Sequence, residues 1–274
     1  VNGDDSLSAY LAMESGNDFV TYGISEKVFD DEESHEMREG RFCKKCGARL
    51  EYDFYHYSQI GVYHCTQCDF KRPCMDFEAS HIQMKHGLEF DVEGRHIAAD
   101  YRGFYNIYNI LAAYSAARTG GLELKNFDRV LKDFNPQNGR NEVFHIQGCR
   151  VLLNLAKNPA GFNQNISAVM EDKEDKDLII AINDNAQDGI DISWLWDVDF
   201  DRFCSEDIKS ITVSGIRCQD MRLRLKYVDI SSELIPDIKT AIEKRIREGS
   251  KNLYVLVNYT ALYGTHNILK DMER

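Results

Sequence analysis

The sequence predicts an α/β protein of two domains, the first interrupted by a small insertion built around its own cysteines. Three observations predict this. The chain has 274 residues, enough for two cores. Four of its eight cysteines stand as two C-x-x-C pairs. From Glu142 onward, apolar stretches of strand length alternate with stretches of helix length, the pattern of a mainly parallel sheet covered on both faces.

Taken in order, a helix is expected over 7–13 after Asp4-Asp5-Ser6, then a short strand over 18–22 and an acidic, polar approach to the cysteine-rich insertion, about 38–75. Two strands follow, over 77–83 and 88–92. An amphipathic helix over 105–118 closes at Gly120-Gly121, and a shorter one covers 126–134. The second half predicts strands over 149–155, 177–183, 210–214 and 252–257, with helices over 162–171, 220–227, 234–248 and 259–272. The domain boundary is placed at Asn138-Gly139-Arg140, giving domains of 1–140 and 141–274. The first has too few strands for a closed α/β core, and the sequence has no G-x-x-x-x-G-K-[ST] phosphate loop. Its nucleotide-cradling strands are therefore expected upstream of Val1.

Composition excludes several classes. With 33 Lys+Arg against 45 Asp+Glu, the formal charge is −12, which argues against the broad basic footprint of a nucleic-acid binder. No apolar run approaches the roughly 20 residues of a transmembrane segment. Val1-Asn2-Gly3-Asp4-Asp5 has neither the basic nor the apolar part of a signal peptide. A cytoplasmic protein is expected.

Cys43-x2-Cys46 and Cys65-x2-Cys68 are separated by 18 residues. Each pair can turn two sulfurs toward one point, and two such knuckles complete a tetrahedron around Zn²⁺. Gly47 follows the first knuckle, where backbone must approach sulfur closely. Between the pairs, Tyr52, Phe54, Tyr55, Tyr57, Val62 and Tyr63 predict the hairpin of a zinc ribbon. Four thiolates leave no open coordination position, so the metal would be structural. His64 and Cys74 fall outside this symmetry, and Cys149, Cys204 and Cys218 read as core thiols.

Three other patterns can carry chemistry. Gly103-Phe104-Tyr105-Asn106-Ile107-Tyr108-Asn109 puts two amides at a helix start, able to bond a purine edge or a ribose, or simply to cap the helix. Asn138-Gly139-Arg140 offers a guanidinium for phosphate oxygens, or a surface ion pair. The densest pattern runs from Asn183 to Asp199, directly after the apolar strand, and gathers carboxylates, Gly189 and both tryptophans where parallel α/β sheets bind ligands. It is not an EF-hand: counted from Asp184, position three is Ala186 and position twelve is Leu195. Two readings of Asp191 stay open, a helix cap beside core tryptophans or a member of a functional loop.

Together these residues resemble the MurT family, the synthetase subunits of bacterial lipid II isoglutaminyl synthase in the Mur ligase superfamily. The resemblance runs from Asn2-Gly3-Asp4-Asp5 through the ribbon to Asn258-Tyr259-Thr260-Ala261-Leu262. Its most specific markers are Lys157-Asn158-Pro159-Ala160-Gly161-Phe162-Asn163 and the stretch from Asn183-Asp184-Asn185 through Asp188-Gly189 and Asp191 to Ser193-Trp194. It implies part of a Mur ligase central domain with an inserted four-cysteine zinc ribbon, then a Rossmann-like C-terminal α/β domain. The implied activity is ATP- and Mg²⁺-dependent amidation. The α-carboxylate of D-glutamate in the lipid II stem peptide becomes an acyl phosphate, which ammonia from a GatD-type glutamine amidotransferase subunit converts to D-isoglutamine. The resemblance places Asn106, Arg140 and Asp184 at the ATP site. It makes Asp191 the aspartate that completes a Cys-His-Asp triad on the partner of a heterodimer, working at the inner face of the cytoplasmic membrane.

Two departures matter. Tyr105 stands where the Mur pattern Gly-x-His-Asn has His, and the absent phosphate loop means this polypeptide alone is expected to bind ATP poorly and not to catalyse amidation. The alternative is a non-catalytic zinc-ribbon interaction module or nucleic-acid adaptor. It draws on the cluster Arg41, Lys44, Lys45, Arg49, Lys71 and Arg72 and is weakened by the overall charge of −12.

Overall fold

The computed structural model describes residues 1–29, 39–85, 87–100, 103–133 and 142–274. It comprises two compact units, Val1–Asn135 and Pro136–Arg274. The expected boundary at Asn138-Gly139-Arg140 lies outside the described residues.

The first unit runs α1 (Ser6–Glu14), β1 (Tyr22–Ile24), β2 (Leu50–Tyr57), β3 (Ile60–Cys65), β4 (Phe77–Gln83), β5 (Leu88–Val92), β6 (Arg95–Ala99), α2 (Tyr105–Thr119) and α3 (Phe127–Asp133). Asp5 caps α1 by accepting from the Leu7 N–H at 3.3 Å. Strands β1, β4, β5 and β6 form a sheet in that order. Alternation on β5 buries Leu88, Phe90 and Val92 in one core with Ile107, Ile110, Leu111 and Tyr114 of α2. The strand expected over 18–22 instead occupies Tyr22–Ile24, in parallel register with Phe77–Ala79 of β4. Strand β6, not anticipated, returns from β5 through Glu93-Gly94, both at positive φ (49° and 74°), which suits a tight hairpin.

Strands β2 and β3 pair antiparallel as a separate hairpin. Leu50, Tyr63, Phe70, Cys43 and Cys65 pack with Ala9 of α1 beneath it. Asp4, 0% exposed, meets this hairpin through its backbone, whose carbonyl accepts from the Gly61 N–H at 3.0 Å. Its Oδ1 accepts from Arg72 Nε at 2.5 Å, and its Oδ2 accepts from the Ile24 N–H and the Tyr108 hydroxyl, each at 2.7 Å. Burial, then the Asp4 charge, raises the Tyr108 pKa well above its ordinary value, so the phenol stays a donor. Asp4→Asn keeps the shape but strands the Arg72 cation in a largely buried position. Breaking a buried pair in this way costs about 3–5 kcal/mol, expected as a lowered midpoint in urea unfolding.

The second unit runs β7 (Glu142–Ile146), β8 (Cys149–Leu155), α4 (Pro159–Glu171), β9 (Lys176–Ala181), β10 (Ile208–Ser214), α5 (Cys218–Lys226), β11 (Glu233–Leu234), α6 (Ile238–Arg247), β12 (Asn252–Val257) and α7 (Tyr259–Glu273). The sheet order is β11-β10-β9-β12-β8-β7. All pairs are parallel except β7 on β8. Leu178 and Ile180 of β9 face Phe162 and Ile166 of α4 and Met221 of α5. Ile179 and Ala181 point the other way, into a core with Ile242 of α6 and Leu269 of α7. Burial on both faces is why these strands read as continuous apolar runs.

Two elements depart from expectation. The helix expected over 234–248 starts only at Ile238, because Glu233 and Leu234 pair with β10 and Asp237 caps the helix, accepting from the Thr240 N–H at 2.8 Å. Strand β7 is joined to β8 by Gln147-Gly148, again both at positive φ (50° and 81°).

Candidate functional sites: a cysteine cluster and a strand-end loop

The knuckles form as the spacing requires. The Gly47 N–H donates to Cys43 O at 2.8 Å, with Gly47 at φ +78°, a conformation L side chains rarely adopt. The Cys65 N–H donates to Phe70 O at 2.8 Å. Sulfur pairs between the knuckles stand at 3.6 Å (Cys43–Cys68) and 3.5 Å (Cys46–Cys65), and all four Sγ atoms lie within 4.8 Å of one another. These separations are too long for disulfides. A tetrahedral ion with metal–sulfur bonds of about 2.3 Å sets its sulfurs about 3.8 Å apart, so the donor set fits a closed S4 site. The Gln67 N–H aimed at Cys65 Sγ lowers that thiol's pKa, whereas those of Cys46 and Cys68 are raised within the same cluster.

The ribbon's basic cluster is partly neutralised. Arg72 is spent on Asp4, and Lys45 pairs with Asp69 at 2.5 Å. Arg41, Lys44, Arg49 and Lys71 are exposed.

In the second unit, the ends of β9 and β12 are joined by two asparagines. The Asn183 N–H donates to Asn258 Oδ1 at 3.0 Å, and Asn258 Nδ2 donates to Asn183 O at 2.7 Å. The loop that leaves β9 bears Asp184, Asp188 and Asp191. Asp184 accepts from Arg217 Nε at 2.8 Å, a partner 33 residues away that local sequence patterns do not reveal. Asp188 accepts from the Thr260 N–H at 2.9 Å and from the Thr260 hydroxyl. Asp191 is exposed, and its Oδ1 accepts from the Ser193 N–H at 2.8 Å. That N–H, with the Ser193 hydroxyl, holds the carboxyl below its usual range.

Asp191 thus turns the chain into the 3-10 helix Ser193–Asp197 while remaining open to solvent. The two tryptophans divide. Trp194 packs against the core beside Phe162, whereas Trp196 is 50% exposed and meets Tyr227 edge-on at 5.0 Å. Cys149 and Cys218 are buried as expected, but Cys204 is exposed, because it follows the short 3-10 turn Phe200–Phe203, whose phenylalanines take the core positions.

A family model described as MurT ligase C-terminal matches residues 155–262. Over 265 residues the chain is 36% identical to the MurT subunit of lipid II isoglutaminyl synthase (glutamine-hydrolyzing) from Staphylococcus aureus strain COL, covering 96% of this chain and 60% of the relative. The chain is MurT-like over nearly its whole length. The corresponding MurT subunit of Streptococcus pneumoniae strain R6 is 29% identical over 278 residues, covering 100% of this chain and 62% of the relative. The chain therefore spans about 60% of the length of these relatives.

A Mur ligase-like α/β fold agrees with solved structures. A pseudomurein peptide ligase type C from Methanothermus fervidus superposes with a TM-score of 0.75 at 20% identity, covering 99% of this chain and 56% of that one. MurF from Acinetobacter baumannii gives 0.58 at 14% identity, covering 73% and 46%. Of the residues the MurT resemblance places at the nucleotide, Asn106 lies in the first turn of α2 and accepts from Asn109 Nδ2 at 3.0 Å. Asp184 carries the Arg217 pair just described. Arg140 lies outside the described residues. Among the described residues, no helix is long and apolar enough to cross a membrane.

Proposed function

We propose that the full-length protein is the synthetase subunit of a glutamine-dependent, ATP-driven amidotransferase acting on lipid II at the inner face of the cytoplasmic membrane. One observation carries the reading: the MurT-like strand-end loop holds Asp191 in solvent, as a carboxylate serving another polypeptide requires. Exposed apolar side chains on the same unit, Ile190 at 79% and Trp196, Ile216 and Tyr227 besides, support a protein partner.

In this mechanism Asp191 accepts a hydrogen bond from one imidazole nitrogen of a GatD-type glutaminase. That fixes the tautomer, so the other nitrogen can deprotonate the nucleophilic thiol. Glutamine and water give glutamate and ammonia. On the synthetase side, the γ-phosphoryl group of ATP passes to the α-carboxylate of D-glutamate, ammonia attacks the resulting acyl phosphate, and phosphate leaves. Asn106, Arg140 and Asp184 are assigned to the nucleotide, whose phosphate charge Mg²⁺ would neutralise. Cys43, Cys46, Cys65 and Cys68 would hold a zinc ion whose role is to cross-link the ribbon.

The full-length protein, copurified with its glutaminase subunit, is expected to convert the lipid II carboxylate to an amide only when ATP and glutamine are both supplied, followed by mass spectrometry. Amidation by neither the pair nor the pair given free ammonia would overturn the reading.

A further inference from the structure

We infer that Thr260, acting through Asp188, is a positioning residue for Asp191. The inference rests on the reading of Asp191 given above and extends it to the element that aims the loop. Between Asn183 and Ser193 the chain is anchored at its ends, the N-terminal one also by the Asn183–Asn258 and Asp184–Arg217 pairs. On the C-terminal side Leu195 is buried, and its carbonyl accepts from Arg224 Nε at 3.1 Å. On the N-terminal side stands the Thr260 tie.

Gly189, Ile190 and Asp191 between these anchors are exposed. Gly189 turns at φ +84° with open space where a side chain would be. The turn itself is exposed, so the direction in which Asp191 leaves is set from its ends, with Ile192 against the core on one side and Asp188 tied on the other. Freeing such a span restores backbone entropy, and the carboxylate would then sample many positions.

The tie is well made for this purpose. Thr260 lies in the first turn of α7, where backbone N–H groups lack partners within the helix and the dipole favours an anion. The Asp188 carboxylate takes the Thr260 N–H with one oxygen and its hydroxyl with the other. The same hydroxyl oxygen accepts from Asn185 Nδ2 at 2.8 Å and Asn183 Nδ2 at 3.3 Å, using both of its lone pairs. One threonine on a rigid helix thereby gathers three residues of the loop that bears Asp191.

The test uses full-length protein in complex with its glutaminase. Thr260→Val keeps the shape and removes the hydroxyl. Displacements near 1 Å cost about 10²-fold in catalysis. Accordingly, kcat for glutamine hydrolysis is expected to fall by about tenfold or more, with KM for glutamine and the affinity between subunits unchanged, and Thr260→Ser is expected to restore kcat. Asp191→Asn runs alongside. If Asp191→Asn is inactive while Thr260→Val keeps full kcat, Thr260 does not position the carboxylate and the trans-acting role of Asp191 stands. If Asp191→Asn itself keeps full activity, both fall together. Asp188→Asn approaches the same tie from the loop and carries the test should Thr260→Val fail to assemble: full kcat there overturns the inference, and a matching loss supports it.

Discussion

Asp191→Asn is expected to abolish partner-dependent glutamine hydrolysis while leaving the complex assembled. The substitution is nearly isosteric, and the Ser193 N–H that Asp191 accepts at 2.8 Å can still be met by the amide oxygen, so the local turn survives. What changes is the charge and one acceptor. An amide offers an imidazole a donor where a carboxylate offers only acceptors, which favours the wrong tautomer and withdraws support from the imidazolium formed during thiol attack. In a serine protease triad the equivalent change costs about 10⁴-fold in kcat, and a loss on the order of 10³–10⁴-fold is expected here. Steady-state hydrolysis by the assembled pair, with assembly verified by size-exclusion chromatography, measures it. Undiminished activity in an intact complex would remove Asp191 from the triad.

The second large effect concerns the ribbon. Protein purified without chelator is expected to carry about one zinc per chain bound by four thiolates. Cys43→Ser is expected to lose it and to unfold the hairpin β2–β3. The buried cluster beneath that hairpin is small, with Leu50, Tyr63 and Phe70 as its large apolar members, and two strands alone are marginal in water. Structural zinc supplies an apparent 10–16 kcal/mol or so in isolated finger peptides, far more than so small a core. Elemental analysis together with amide hydrogen exchange across Leu50–Cys65 reads the outcome. Metal-free protein whose hairpin amides stay protected would contradict a structural role for the ion.

The sequence exposes those features whose cause is local. Leu178-Ile179-Ile180 reads as a doubly covered strand because every side chain in it is buried, and the C-x-x-C spacing determines a knuckle within a few residues. Strands β6 and β7 stay hidden for a shared reason. Each is a short edge strand reached through a two-residue turn whose first member, Glu93 or Gln147, adopts positive φ without being glycine, so only the glycine that follows marks the turn. At the strand-end loop the carboxylates were visible, yet their partners were not. Arg217 lies 33 residues from Asp184, and Thr260 lies 72 residues from Asp188. Only the parallel crossovers bring such positions to one edge of a sheet. The pairing of Asn106 with Asn109 spans three residues and follows from helical periodicity alone.

The clasp at Asp4 bears on the order of events during folding. It joins residues 68 and 104 positions apart along the chain, and closing spans of that length is slow. Until Arg72 and Tyr108 have been delivered by their own local structure, the carboxylate has nothing to meet. Seating Asp4 is thus expected late in folding, after Arg72 and Tyr108 are in place.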